Sequence, residues 1–201
     1  NNSGSSVVIQ NSTIAYNTAA TGGGINRSNG RYNITNTIIA NNTGAVASPD
    51  CNGTIAVANY NIIENPAGCS ITSGSNNLNI DPMIDPALTG TQLVHVLLAG
   101  SPAIHAGTST GCPATDQRGI VRPQGSSCDI GSVEYIGNGA KSINVLSGSN
   151  QASVINTAFA SNLSVLVLDV NDVPASGISV TFTGPSSGAR GTFSATGTNT
   201  T

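Results

Sequence analysis

Asp116, Arg118, Arg122, Asp129 and Glu134 form the densest charged group in a chain of 201 residues of which only 7% are charged. Two guanidinium forks among three carboxylates have two chemical uses. They would bind a sugar acid, because an arginine fork matches a carboxylate with two parallel hydrogen bonds, or they would pair with one another across a loop. The arginines nearly neutralise the acids, which favours a structural charge network. Polysaccharide cleavage asks for something else: clustered carboxylates, as an acid/base pair or as a Ca²⁺ site. Residues 1–80 offer only Asp50 and Glu64, neither in an acidic cluster, and Asp50 beside Cys51 reads as a loop cap. Asp81 and Asp85 have metal-like spacing, yet each precedes a proline, and Asp-Pro opens turns. His95 and His105 have no Ser or Cys partner in a nucleophile motif. Tyr16, Tyr32 and Tyr60 would offer a sugar-stacking stripe, or simply shield turns. No catalytic residue, metal site or cofactor is assigned.

The four cysteines fall into two sequence-local pairs, Cys51 with Cys69 and Cys112 with Cys128, without a CxxC motif or a histidine at metal-ligand spacing. Each pair brackets a loop rich in Gly and Pro, so two local disulfides are expected. Closing a loop of that size contributes on the order of 3 kcal/mol. Persistent disulfides imply an oxidising location, hence a secreted, extracellular or cell-surface protein.

Positioning these groups is the task of a repeat. Val7–Thr18 can be laid on Tyr32–Thr43 without a gap at an offset of 25 residues, and Ile62, Ile63 and Asn65 repeat Ile38, Ile39 and Asn41 at an offset of 24. Such a period marks a solenoid. Short β-branched runs separated by Asn, Gly, Ser and Thr exclude the helical repeats, and the first leucine, Leu78, comes too late for a leucine-rich repeat. The expected architecture is all-β, a parallel β-helix whose turns stack the same side chain from repeat to repeat. Asn11 and Asn36, with Asn61 as a third partner, would stack as an internal amide ladder at a corner.

Asparagine also marks the boundaries. Of 24, 17 lie in residues 1–80 and none between Asp81 and Gly137. Residues 1–80 are therefore expected to be β-helix turns, 81–136 a cap segment holding a disulfide loop, 137–141 a hinge, and 142–201 a β-sandwich. The sandwich shows as a strand at 163–170, a turn at 171–177 and a strand at 178–183. Net charge is −3 and the six basic residues are scattered, which excludes a nucleic-acid footprint. No apolar run approaches the roughly 18 residues of a membrane span. With a mean hydropathy of +0.06 the composition is that of a chain that folds.

The middle segment carries several words in a fixed order: Leu97-Leu-Ala-Gly-Ser-Pro-Ala-Ile104, Asp116-Gln-Arg-Gly119, Arg122-Pro123 and Cys128-Asp-Ile-Gly-Ser-Val-Glu134. Over residues 30–136 the chain thus resembles the C-terminal part of the bacterial choice-of-anchor right-handed β-helix proteins. That resemblance implies a secreted or surface-displayed protein and no particular catalytic activity. It departs at His105, where the family has Asp. Asn156-Thr-Ala-Phe159, Pro174-x-x-Gly177, Val180-Thr-Phe182 and Gly188-Ala-x-Gly191-x-Phe193 resemble an invasin-type bacterial Ig-like module, here without its closing strands.

The expected function is a non-catalytic structural or adhesive module of a bacterial surface protein. Its open ends fit either an excerpt of a longer protein or completion by a neighbouring chain, which would build a head-to-tail filament by strand complementation. Expected partners are other copies of the chain or adjoining domains, and carbohydrate or a neighbouring cell surface, with neither nucleic acid nor membrane insertion. The alternative is a carbohydrate-active or carbohydrate-binding β-helix of the polysaccharide-lyase kind.

Overall fold

The computed structural model describes residues 5–44, 49–137, 139–170, 172, 174–175, 178–184 and 186–187. Ten strands and no helix occur among them: β1 Ser6–Gln10, β2 Thr13–Ala15, β3 Ile25–Asn26, β4 Arg31–Thr35, β5 Ile38–Ala40, β6 Cys51–Asn59, β7 Ile62–Ile63, β8 Cys69–Ser75, β9 Ala140–Ser147 and β10 Ser164–Asp169. The chain divides into two compact units, Asn1–Ile136 and Gly137–Thr201.

In the first unit the repeat becomes parallel pairing. β1 pairs with β4 from Ser6↔Arg31 to Gln10↔Thr35, β4 with β6 at Asn33↔Val57, and β6 with β8 at Gly53↔Cys69. β3 joins the same curled sheet through Ile25↔Cys51. A second parallel sheet runs β2-β5-β7, with Ile14↔Ile39↔Ile63 in register. Parallel strands need a long connection, and here each connection is one repeat of the chain.

Two residues carry the chain from one sheet to the other in every repeat. The first of each pair has a left-handed backbone: Asn11 (φ 46°), Asn36 (φ 48°), Tyr60 (φ 54°) and Asn76 (φ 57°). Asn tolerates this region because its short amide bonds locally, which suits it to three of these four corners. The corners themselves bond in series, Asn11 N–H donating to Thr35 O, Asn36 N–H to Asn59 O and Tyr60 N–H to Ser75 O.

Ile25, Ile34, Ile39, Cys51, Ile55, Ala58 and Ile63 form the buried core, with Ile9, Ile14, Tyr32 and Cys69 packed against it. β-Branched residues suit strands that crowd one another on an interior face. Where Ala58 approaches β8, Gly74 has φ 128° and a Cβ there would stand 1.7 Å from Ala58 O, so no other residue fits.

Segment 81–136, the expected cap segment, reaches back to the early repeats through its second half. Gly131 N–H donates to Asn36 O (2.9 Å), Thr108 N–H to Asn36 Oδ1 (2.8 Å) and Ser132 N–H to Thr13 Oγ1 (3.1 Å). The corner amides offer more acceptors than the ladder consumes, and the segment takes them. A Cβ at Gly131 would lie 2.9 Å from Ile38 Cδ1, so glycine lets the loop backbone close over that buried side chain.

Among the described residues of the second unit, β9 pairs antiparallel with β10. β9 begins at Ala140, inside the stretch expected to be a hinge. The strand expected at 163–170 is β10, whereas 178–183 is not in a strand. Chain geometry explains the difference: Pro174 bridges to Leu168 and Ala175 N–H donates to Val167 O (2.9 Å), so the turn itself takes part of the outer edge of β10. The motif residues Gly177, Gly188, Gly191 and Phe193 lie outside the described residues.

Candidate functional site

The charged group joins Asp116, Arg118 and Arg122, inside the loop closed by Cys112 and Cys128, to Asp129 and Glu134 just beyond it; the two cysteine Cα atoms are 6.5 Å apart. Arg122 is its centre. Its side chain is 1% exposed, and its three nitrogens reach Glu134 Oε2 (2.7 Å), Gly131 O (3.2 Å) and Asp129 O (2.6 Å). Glu134 also accepts from Gln124 N–H at Oε1 (2.9 Å) and from Asp129 N–H at Oε2 (3.2 Å). Arg118 holds Asp116 Oδ2 from Nε (3.0 Å) and from Nη2 (2.9 Å), and Nη2 also donates to Glu134 O. A buried ion pair is tolerated only when further hydrogen bonds satisfy both partners, and here they do.

Asp129 stands apart from the arginine side-chain pairs. Its Oδ1 accepts from His105 N–H (2.7 Å) and its Oδ2 from Tyr135 N–H (2.5 Å), while His105 Nδ1 lies 3.4 Å from Oδ1. His105 therefore has a partner that sequence reading missed. The partner lies 24 residues away and no local pattern signals it.

The two aspartates respond to this setting in opposite directions. Burial alone would push the Asp116 carboxyl up, but the N–H groups of Glu134 and Ile120 together with the Arg118 guanidinium hold it below its ordinary value. Burial dominates at Asp129, with Glu134 adding to it, and its carboxyl is raised. Asp116 thus stabilises the fold above its unfolded-state value of 3.8, and that contribution is lost as pH falls through the lower folded-state value. Asp129 acts oppositely: its protonated form suits the fold, and stability falls as pH rises from 3.8 through its raised value. Asp116→Asn should lower stability at neutral pH by roughly 1–3 kcal/mol through lost and mismatched hydrogen bonds. It should also flatten the acid limb, as read by urea unfolding across a pH series.

The remaining candidates are occupied in turns and corners. Asp50 Oδ1 accepts from Asn42 N–H (3.1 Å) and Asn42 Nδ2 (3.0 Å), and Oδ2 accepts from Asn65 N–H (2.8 Å). One buried carboxylate therefore ties together three parts of the repeat. Glu64 Oε2 accepts from Asn41 N–H (2.8 Å). Asp81 and Asp85 each accept the N–H two residues on, at 2.8 Å, as turn openers do. Among the described residues no group of three or more His, Cys, Asp and Glu is placed to hold a metal.

The amide ladder departs from expectation at its third member. Asn36 Nδ2 donates to Asn11 Oδ1 (3.1 Å), and there the series turns aside, because β6 pairs with β4 at an offset of 24 and puts Tyr60 opposite Asn36. Asn61 falls opposite Thr37 instead. It accepts Thr37 N–H (3.0 Å) and donates to Asn77 Oδ1 (2.8 Å), beginning a second ladder. A third joins Asn17 Nδ2 to Asn42 Oδ1 at 3.0 Å.

Two openings border these groups. A crevice of about 410 Å³ lies between the disulfide loop and the first corner, lined by Asn11, Thr13, Thr115, Gln117 and Ser132 among others. A second, of about 450 Å³, is lined by Asn41, Asn42, Asp50, Glu64 and Asn65. Both are open and polar, and the carboxylates beside them are hydrogen-bonded within the fold. Cys51 and Cys69 are also bonded, with Cα atoms 5.6 Å apart, and no free cysteine remains. Two disulfides suggest an oxidising, extracellular environment. No helix among the described residues is long and apolar enough to cross a membrane. Comparison with family models, with curated proteins and with solved structures gave no match for this chain.

Proposed function

We propose that this chain is a non-catalytic structural or adhesive module of an extracellular bacterial surface protein. In this reading residues 1–136 are a right-handed parallel β-helix with its flanking disulfide loop, and residues 142–201 belong to an Ig-like β-sandwich. The observation that carries the reading is how the polar groups are used. Asp50 accepts hydrogen bonds from backbone N–H groups within the repeats, and Asp116, Asp129 and Glu134 from backbone N–H groups of the flanking segment, so the acids that chemistry would need are bound up in holding the repeats and the loop in shape. Head-to-tail assembly by strand complementation draws support from the second unit, where Ile143, Val145, Leu146 and Phe159 are all more than half exposed. Electron microscopy of the purified protein tests it. Filaments are expected, and their loss in a Val145→Lys chain; a wild-type protein that stays single and dispersed would count against assembly.

A second reading, carbohydrate binding, rests on Tyr16. Its half-exposed ring meets His95 with centroids 4.7 Å apart. Partial burial, then Asp81, Asp85 and Glu64, push its hydroxyl up. Calorimetry against neutral and acidic polysaccharides separates the readings, since binding that Tyr16→Ala abolishes would favour this one.

A further inference from the structure

β8 ends the curled sheet in the middle of the chain, between the repeats and the flanking segment. One of its edges pairs with β6, and no described residue pairs with the other. Ser70–Asn76 are exposed throughout. An open strand edge is a template for another strand, and proteins normally blunt it with Lys, Pro or a covering loop. Lys and Pro are absent from this edge: residues 65–80 contain no charged residue, and no proline after Pro66. The same end of the repeats leaves apolar side chains uncovered, with Ile71 36%, Leu78 37% and Ile80 49% exposed.

We infer that this edge is a self-association surface, on which β8 of a second copy pairs antiparallel with β8 of the first about a twofold axis. A second copy fits better than a charged partner, because an uncharged edge offers no complementarity to charge and no repulsion to itself. Antiparallel pairing also uses the edge in its more stable form. The contact is isologous, so it closes at two copies and is a different joint from a head-to-tail filament; it stands whether or not filaments form. A seven-residue edge with Ile71 on it and Leu78 and Ile80 beyond it falls in the small interface class, so the dimer is weak and appears only at high concentration.

The centre of β8 is Thr72, which a twofold axis places opposite itself. In the full chain carrying Val145→Lys, which removes the expected filaments, sedimentation over a concentration series should show a reversible dimer. Thr72→Lys should weaken it at least tenfold, while Val121→Lys, on the exposed face of the disulfide loop, should leave it unchanged. A Thr72→Cys chain should oxidise to an interchain-linked pair whether or not larger assemblies form. A Val145→Lys chain that stays monomeric at millimolar concentration overturns the inference. So does a Thr72→Lys change in that chain that leaves the dimer as tight, or a Val121→Lys change that weakens it as much as Thr72→Lys.

Discussion

Arg122→Ala is expected to lose on the order of 3–5 kcal/mol of unfolding free energy, the cost of leaving a buried charge without its partner. The Glu134 carboxylate would remain fully buried. Its two backbone donors cannot balance the charge that the guanidinium now meets at 2.7 Å. Gly131 O and Asp129 O would lose donors as well, at the point where Gly131 docks on Asn36. Arg122→Lys keeps the charge but replaces a fork with a single point, so an intermediate loss is expected. All four tyrosines, Tyr16, Tyr32, Tyr60 and Tyr135, lie in the first unit and the chain has no Trp, so tyrosine fluorescence during urea unfolding reports that unit alone. A loss below about 1 kcal/mol, the size of an exposed pair, would mean that the network does not hold the loop.

Ile39→Ala is the second large effect. Ile39 is fully buried between Ile14 and Ile63 in the β2-β5-β7 stack and belongs to the same core as Ile25, Ile34 and Ile55. Truncation there should cost about 2–5 kcal/mol, because a parallel stack fixed by backbone ladders on both sides has little freedom to collapse into the space. Val8, on β1 and 60% exposed, is the matched comparison, and Val8→Ala should change stability by no more than about 0.5 kcal/mol. Equal effects at the two positions would mean that the repeat has no distinct inside.

These two residues differ in how visible they are in the sequence. Ile39 belongs to a pattern that recurs at 25 and 24 residues, so its place in a parallel stack follows from the repeat. The cysteine pairs were equally legible, each being local and bracketing a loop. The charged residues stand out by density, but their pairing does not. Arg122 meets Glu134 at a separation of 12, while the loop carrying them reaches Thr13 at 119 and Asn36 at 72, distances at which a single sequence carries no signal. Asn61 shows a subtler limit. Its residue type continued the amide series, but a one-residue shortening of the repeat moves every following side chain one corner position on. In the second unit, alternating residues at 178–183 read as a strand, yet alternation records only a suitable side-chain pattern and not an available edge.

Amide hydrogen exchange along the whole chain tests the stacking of repeats most directly. The N–H groups of Ile38, Ile62 and Leu78 donate to Ser12, Thr37 and Asn61 of adjacent repeats, and Asn36 and Tyr60 donate across the neighbouring corner. Ile38 and Ile62 should therefore be among the slowest to exchange, with protection recurring at the repeat interval and fading toward Leu78 and the open edge at β8. Rapid exchange at Ile38 and Ile62, or protection without that periodicity, would contradict a parallel stack.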